Sequence, residues 1–192
     1  MLFFRRETWL SALAGLACFI ATPAAHALSL DDAVLAELNY ARAHPAQYAL
    51  ELRRDADASG DREALEEAID FLERQQPLPP LEGDPRITVA AREHSRAQAA
   101  SGSVGHGVAG SLGRRLRDNG VWAGLSAENI SYGNDTATGV IRQLIIDSGV
   151  PGRGHRRNIF SASYQLAGVA CGPHPTYDVM CVIDFAGALA QR

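Results

Sequence analysis

The sequence predicts an α+β domain with its helices first and its strands late. Apolar residues recur at helical spacing in segments of the first two thirds of the chain. Near Glu128 the pattern changes to the two-residue alternation of strands, and two more apolar runs follow at 166–170 and 179–185. Helices and strands that are separated along the chain in this way are typical of α+β folds.

Residues 1–27 have the organisation of a secretory signal peptide. Arg5 and Arg6 precede an apolar run over 8–20, and Ala25-His26-Ala27 ends it with small residues. Lipid attachment at Cys18 is disfavoured, because Gly15-Leu16-Ala17 fits a lipobox poorly, and the two arginines leave a twin-arginine signal open. We expect a mature domain over 28–192, exported to the periplasm or the medium.

Composition excludes two classes of partner. The chain has 192 residues and a formal net charge of -4, whereas nucleic-acid binding calls for a basic face. No stretch approaches the roughly 20 apolar residues that a membrane helix needs. We therefore expect no nucleic-acid partner and no transmembrane segment.

Cys171 and Cys181 flank the turn-rich segment 172–177, which separates the last two predicted strands. A hairpin would bring the two side chains close together, and exported proteins meet an oxidising environment. We expect a disulfide, with two buried free thiols as the alternative.

The first helices have recognisable starts. Ser29-Leu30-Asp31-Asp32 resembles a capping box, and Pro45 should interrupt or restart the helix that follows. Leu65, Ile69 and Leu72 mark a second amphipathic helix. The proline-rich segment 75–84 is predicted to be an extended linker within the domain.

Asp84 and Pro85 predict the start of a helix over 87–100. His94 lies within this helix, where a partly buried structural histidine is favoured over a direct role. A glycine-rich segment, 102–110, then carries His106 in a loop. A short arginine-rich helix over 112–119 should end at Gly120.

The predicted strand from Glu128 places this acid on the same face as Ile130 and Tyr132. A carboxylate on an apolar face needs a cation or a set of donors. Asn134 or Asp135 can cap the next helix, which runs through Ile146 and carries an apolar stripe.

Asp147 should point toward the interior at the end of that helix. A negative charge is unfavourable at a helix C-terminus, so Asp147 needs a compensating partner. An Asx-type turn over 147–149 and a role in a site are equally compatible with the sequence.

Imidazole and carboxylate side chains are the ligands that Zn²⁺ and similar ions accept. If the fold joins His106, Glu128, Asp147 and His155, they form a polar cavity suited to a divalent cation. Their spacing alone carries no metal signature, and composition alone favours a His155 that is satisfied by backbone contacts in the turn over 152–154.

Several motifs, in this order along the chain, resemble those of the CAP superfamily, which comprises the cysteine-rich secretory, antigen 5 and pathogenesis-related proteins. The most specific are Ala127-Glu128-Asn129-Ile130 and Gly154-His155-Arg156-Arg157-Asn158-Ile159. The others are Leu38-Asn39-Tyr40-Ala41-Arg42, Pro77-Leu78-Pro79-Pro80-Leu81, Ala90-Ala91-Arg92-Glu93-His94-Ser95, Gly105-His106 and Ala167-Gly168-Val169-Ala170.

The resemblance implies a three-layer α-β-α sandwich around a small, mainly antiparallel sheet. It implies that His106 and His155 are the cavity histidines, which in several members hold a divalent metal, usually zinc, and that Glu128 is the first cavity acid. Asp147 only approximates the second acid, which is commonly Glu. Segment 150–154 is longer than the usual turn and should reshape the cavity mouth. The supporting residues of the cavity are expected to be His94, Asn129, Arg156 and Asn158.

The resemblance favours a secreted, non-enzymatic module that binds a divalent metal, Zn²⁺ above others, and a small apolar or peptide ligand. The alternative is a zinc-dependent, peptidase-like hydrolase in which Glu128 or Asp147 acts as the general base. A third possibility is a structural module whose histidines and acids only hydrogen-bond one another.

Overall fold

The computed structural model of the protein describes residues 28–55 and 60–189. The predicted signal peptide, residues 1–27, lies outside the described residues. None of the described helices is both long enough and apolar enough to cross a membrane. The described helices are α1 (Leu30–Ala43), α2 (Pro45–Arg54), α3 (Arg62–Arg74), α4 (Pro85–Ser101), α5 (Leu112–Asp118), α6 (Ala137–Ile146) and α7 (Gly154–Ile159). The described strands are β1 (Glu82–Gly83), β2 (Ser126–Tyr132), β3 (Leu166–His174) and β4 (Asp178–Ala186).

The four strands form one sheet in the order β1-β3-β4-β2. Strands β3 and β4 are an antiparallel hairpin, and β2 pairs antiparallel with β4. Only the two-residue strand β1 is parallel to its neighbour, β3. The sheet is therefore small and mainly antiparallel, as the resemblance implies.

Helices cover both faces of this sheet. Helix α4 packs on one face against β3 and β4, while α1, α6 and α7 pack on the other. The larger part of the core lies on the second face, where apolar residues of α1, α2, α3 and α6 meet alternate residues of β3 and β4. The prediction of an α+β fold with three layers is confirmed.

Gly168 on β3 allows the close contact between α4 and the sheet. A Cβ atom at this position would lie 2.2 Å from the backbone nitrogen of Thr88 and 2.3 Å from the carbonyl carbon of Ile87. Because both atoms belong to the helix backbone, no side-chain rotation could relieve the clash. The absence of a side chain here lets α4 rest directly on β3.

The predicted helix starts at residues 29, 45 and 84 are confirmed. Ser29 caps α1 by accepting a hydrogen bond from the Asp32 N–H, and Asp84 caps α4 by accepting one from the Arg86 N–H. Pro45 is the first residue of α2, where its missing N–H costs nothing.

One local prediction is wrong. The N-cap of α6 is Thr136, whose hydroxyl accepts from the Gly139 N–H, and neither Asn134 nor Asp135 has this role. Asn134 instead donates to the Tyr132 carbonyl at the end of β2. The linker 75–84 contains strand β1, which is too short to show the alternation that identifies strands.

Cys171 and Cys181 form the expected disulfide. They are directly opposite each other in the β3-β4 hairpin, with Cα atoms 4.0 Å apart. The hairpin therefore brings the two cysteines together as predicted, and the alternative of two free thiols is wrong.

Candidate functional site

The fold brings His106 and His155 together across a cleft, with ring centroids 6.4 Å apart. His106 lies in the loop that follows α4, as predicted. His155 is the second residue of α7, and its ring contacts the Asp147 side chain rather than the backbone of the turn over 152–154. The two rings come from opposite layers of the sandwich and meet near the outer edge of β2.

Glu128 on β2 orients the His106 ring. The Nδ1 atom of His106 lies 2.8 Å from Oε1 of Glu128, and because a carboxylate only accepts, Nδ1–H is the donor. This hydrogen bond raises the pKa of His106 above its usual value, against the opposing effect of burial. The bond leaves Nε2 of His106 on the side of the ring away from Glu128.

Asp147 orients His155 in the same way. Its Oδ1 atom lies 2.7 Å from Nδ1 of His155, and its Oδ2 atom accepts from the backbone N–H groups of His155 at 2.8 Å and Arg156 at 3.3 Å. Asp147 ends α6 in the left-handed conformation, with φ 56°. Its side chain thus accepts from the first N–H groups of α7. Among the described residues, none in the turn over 147–149 donates to this side chain, as an Asx turn would require.

The start of α7 also compensates for the unfavourable position of the Asp147 charge at the end of α6. The negative carboxylate lies at the C-terminus of α6, where it is disfavoured, but also at the N-terminus of α7, where it is favoured. Asp147 is 2 % exposed, so solvent screens neither interaction strongly. The compensating partner expected from the sequence is therefore the histidine together with the helix that carries it.

Glu128 is held by further buried groups beneath the cleft. Arg115 on α5 donates to Oε2 of Glu128 and also lies 3.8 Å from Oδ1 of Asp184 on β4. Burial alone would raise the pKa of Glu128, but the hydrogen bond from His106 and the charge of Arg115 hold it below the usual value. Glu128 is accordingly ionised at neutral pH.

Asp184 is the cross-strand neighbour of Glu128 and is fully buried. Its burial, followed by the negative charge of Glu128, raises its pKa well above the ordinary value. The raised pKa favours the protonated form of Asp184 beside ionised Glu128, and one negative charge would balance the single positive charge of Arg115. Sequence reasoning missed both Asp184 and Arg115, although an acid inside the apolar run 179–185 was a usable signal.

His94 is fully buried and supports the loop that carries His106. Its Nε2–H donates to the carbonyl of Gly105 at 3.0 Å, immediately before His106, while Nδ1 lies 3.8 Å from Glu128. Burial lowers the pKa of His94, which keeps the ring neutral. These contacts agree with the structural reading that the sequence favoured for this histidine.

Asn129, Asn158 and Arg156 position α7 against the sheet. Asn129 donates to the His155 carbonyl at 3.0 Å and accepts from the Asn158 amide at 2.8 Å. Arg156 is buried and donates to the carbonyls of Ile145 at 2.6 Å and Ile146 at 2.9 Å. All three expected supporting residues of this motif therefore lie behind His155, away from the cleft.

The donor set can be compared with the requirements of a divalent ion. With Nδ1 of each ring bound to a carboxylate, the Nε2 atoms are the available ligands, an arrangement that also occurs at metal-bound histidines. Two imidazoles sharing a tetrahedral zinc ion at about 2.0–2.1 Å have ring centroids about 5 Å apart, so a movement of about 1 Å is needed. Among the described residues, no three His, Cys, Asp or Glu side chains are arranged as a complete metal set. The histidines thus fit the donor chemistry as a two-nitrogen site.

A cavity of about 970 Å³ extends from the two histidines along the edge of β2 to α2 and α6. Val150, from the long segment before α7, lies on its wall. Its apolar part is formed by Leu52, Leu65, Leu144, Ile146 and Val150, and polar groups that include Asp55 and Arg142 also line it.

Comparisons with known proteins agree with this architecture. The model of the cysteine-rich secretory protein family, CAP, matches residues 35–185. No curated protein matches the chain in sequence.

Several solved structures resemble the chain. One is an extracellular protein containing a SCP domain from Bacillus anthracis, with 23 % identity and a TM-score of 0.50 over 63 % of this chain. The chain spans 37 % of the length of that protein. Another is an outer surface protein from Borrelia burgdorferi, with 16 % identity and a TM-score of 0.50 over 57 % of this chain and 79 % of that protein.

Proposed function

Since the chain belongs to the cysteine-rich secretory protein (CAP) family, we propose that it is an exported, non-enzymatic module whose cleft binds a divalent metal and a small apolar or peptide ligand. The observation that carries the proposal is the pairing of each cleft histidine with its own buried carboxylate. These pairs direct two Nε2 atoms away from the protein core, toward the space in front of β2.

Export is supported by three independent features. Residues 1–27 have the organisation of a signal peptide, and Cys171 and Cys181 form a disulfide of the kind that persists in oxidising compartments. The similar Bacillus protein is described as extracellular and the Borrelia protein as an outer surface protein. We place the mature domain, residues 28–192, in the periplasm or outside the cell.

Zn²⁺ is the ion that we expect at His106 and His155, because two neutral imidazoles suit it well. The carboxylates behind the rings fix the tautomer and raise the basicity of the ligating nitrogens. When bound, the ion would act as a Lewis acid that attracts an oxygen atom of a ligand. With only two protein ligands, the remaining positions are left to water or to the ligand.

The zinc-dependent hydrolase is not favoured by the geometry. A general base must reach the water that it activates, but Glu128 and Asp147 both contact Nδ1, on the side of each ring opposite Nε2. Glu128 is further held by Arg115, and Asp147 by the backbone of α7. Neither acid extends into the space where a metal-bound water would lie.

Calorimetric titration of the metal-stripped mature protein with Zn²⁺ tests the proposal. We expect micromolar binding that is lost in both His106→Ala and His155→Ala. His44→Ala is the matched control, because His44 is exposed at the α1-α2 junction and does not line the cleft. Absence of binding, or equal binding in all four proteins, would contradict the metal site and leave the histidines with a structural role.

A further inference from the structure

The outer edge of β2 presents an unpaired peptide unit to the cleft. In an antiparallel pair, the N–H and C=O of successive residues point alternately toward the partner strand and away from it. The Gly133 N–H donates to Val179 at the end of β4, at 2.8 Å, so Ser131 and Asn129 also point toward β4. The N–H and C=O of Ile130 therefore point outward, away from the sheet.

The neighbouring outward peptide unit, that of Tyr132, already binds an amide. The side chain of Gln143 accepts from the Tyr132 N–H at 3.3 Å and donates to the Tyr132 carbonyl at 3.1 Å. One amide thus pairs with both groups of the strand, as a residue of an added strand would. This contact shows that the outer edge of β2 can pair with an amide group. It occupies Tyr132, the next outward-facing position after Ile130.

Ile130 itself has no such partner among the described residues. No described side chain or backbone group outside the sheet bonds to its N–H or C=O, although the residue is 6 % exposed and lines the cavity. Buried peptide groups are almost always paired with protein, water or a ligand. The position of Ile130 between the two histidines and Gln143 makes it a place for a ligand that carries both a donor and an acceptor.

We propose that an extended peptide binds in the cleft by pairing the N–H and C=O of one residue with Ile130. Gln143 ends the pairing at the next outward position, so the added strand is short. The apolar part of the cavity receives an apolar side chain of the peptide. The inference rests on the proposed function for the existence of a ligand cleft, and it specifies the ligand class.

A fatty acid or sterol cannot pair with both the N–H and the C=O of Ile130. Such a molecule could fill the apolar part of the cavity, but it carries no N–H and C=O spaced as in one residue of an extended chain. Binding it would leave the peptide groups of Ile130 desolvated and unpaired, which is costly. Pairing by main-chain hydrogen bonds is a recurring mode of peptide recognition at sheet edges.

The test uses the blocked tripeptide acetyl-Ala-Leu-Ala-amide and the ¹⁵N-labelled mature protein. We expect a saturable shift of the Ile130 amide resonance at peptide concentrations up to about 10 mM. Methylation of the leucine nitrogen removes the donor to Ile130 and should weaken binding by about fivefold to tenfold. Methylation of the following alanine nitrogen is the matched control, because in an extended peptide that N–H points away from β2.

Substitution at Ile130 gives a second, independent comparison. Proline removes the outward N–H without breaking the ladder to β4, so Ile130→Pro should lose the peptide-induced shifts of the flanking Asn129 and Ser131 amides, whereas Ile130→Val should retain them. If Ile130→Pro does not fold, the two methylated peptides decide the matter with the wild-type protein alone.

Three results would overturn the inference. They are the absence of a saturable Ile130 shift, equal weakening by the two methylations, and an equal Ile130 shift caused by dodecanoate, which would make the cleft a lipid site. The experiment needs no metal, so its failure is distinct from a failure of zinc binding at His106 and His155. Peptide binding without zinc binding would retain this inference and remove the metal from the proposed function.

Discussion

Glu128, Asp184 and Arg115 form a buried group in which two carboxyl groups face one guanidinium. Burial and the neighbouring charge of Glu128 raise the pKa of Asp184, which disfavours a second negative charge beside Glu128. Glu128 holds the charge because His106 and Arg115 both donate to it. The orientation of His106 is therefore coupled to the charge balance of residues below the cleft.

A double-mutant cycle should reveal this sharing of charge. Glu128→Gln should cost about 1–2 kcal/mol, since Asp184 can ionise and pair with Arg115 in its place. The double variant with Asp184→Asn leaves Arg115 buried without a counterion, and we expect it to exceed the sum of the single costs by about 2 kcal/mol or more. Urea unfolding at neutral pH measures all four proteins, and additive costs would contradict the shared charge.

The pH dependence of Asp184→Asn provides a separate prediction. Because the pKa of Asp184 is raised above its unfolded value of 3.8, the folded state binds this proton more tightly than the unfolded state. Its contribution to stability is present below pH 3.8 and is lost as the pH rises through the folded pKa. The stability of Asp184→Asn relative to wild type should therefore increase as the pH rises from about 4 toward neutral.

Urea unfolding at several pH values in this range measures the difference. Asn has a side chain of the same size as Asp, and its N–H₂ group replaces the O–H donor of the protonated carboxyl. Packing is therefore nearly unchanged between the two proteins. A pH-independent difference would mean that Asp184 titrates alike in the folded and unfolded chains.

Sequence reasoning at this scale found Glu128 and His106, but not Arg115 and Asp184. The alternation of β2 placed Glu128 on an apolar face and so identified it as a buried charge. Arg115 is one of three arginines in a short helix, and its sequence position does not distinguish it from exposed Arg114 and Arg117. The register that places Asp184 beside Glu128 depends on long-range strand pairing, which local patterns do not specify.

At the scale of elements, Asp147 joins two helices whose ends meet. It terminates α6 and accepts from the first N–H groups of α7, so one side chain fixes both the helix junction and the His155 ring. The short helix α7 has no side-chain cap of its own from Arg153. Asp147 replaces that cap from a neighbouring element.

Two substitutions separate the contributions of Asp147. Asp147→Asn keeps an acceptor oxygen and tolerates the left-handed conformation, so we expect a loss of about 1 kcal/mol. Asp147→Ala loses the cap and is strained at φ 56°, which should cost about 2–3 kcal/mol in total. Thermal or urea unfolding gives both values, and an equal cost for the two variants would show that neither the cap nor the backbone strain matters.

The elements were predicted best where local chemistry specifies them. Ser29, Pro45 and Asp84 act through residues within one helical turn, so their helix starts follow from sequence alone. Strand β1 could not be found in this way, because its two residues are defined by pairing with the distant Leu166 and Ala167. The cap of α6 was misplaced because Asn134 is occupied by the end of β2.

At the scale of the whole molecule, the cleft exists because two layers approach each other closely. His106 follows α4 in one layer, and His155 belongs to α7 in the other. The distance between the rings therefore depends on how tightly both layers pack on the sheet. Gly168 sets that distance on the α4 side.

Gly168→Ala should disturb the packing of α4 on β3. The new methyl group would overlap the backbone of α4, and we expect a destabilisation of about 3 kcal/mol from the forced displacement. Gly107→Ala is the control, because a Cβ there meets no atom within 4 Å and should cost less than about 0.5 kcal/mol. Equal unfolding midpoints for the two variants would contradict the close packing of α4 on β3.

The layered architecture was predicted through the resemblance of motifs rather than through periodicity. Helical and strand patterns alone indicate an α+β domain, but they do not specify that His106 and His155 meet. The motifs around Glu128 and His155 carried that information. The orientation of the rings, set by Nδ1 contacts to two carboxylates, became visible only with the side chains placed in the fold.

The central claim is that two carboxylates direct two Nε2 atoms into the cleft, and long-range ¹H–¹⁵N correlation of the histidine rings tests it most directly. In the metal-free protein, we expect the neutral forms of His106 and His155 to carry their proton on Nδ1. Added Zn²⁺ should then shift the Nε2 resonances of both rings. A proton on Nε2 in either ring, or a zinc-induced shift at Nδ1 instead, would contradict the account.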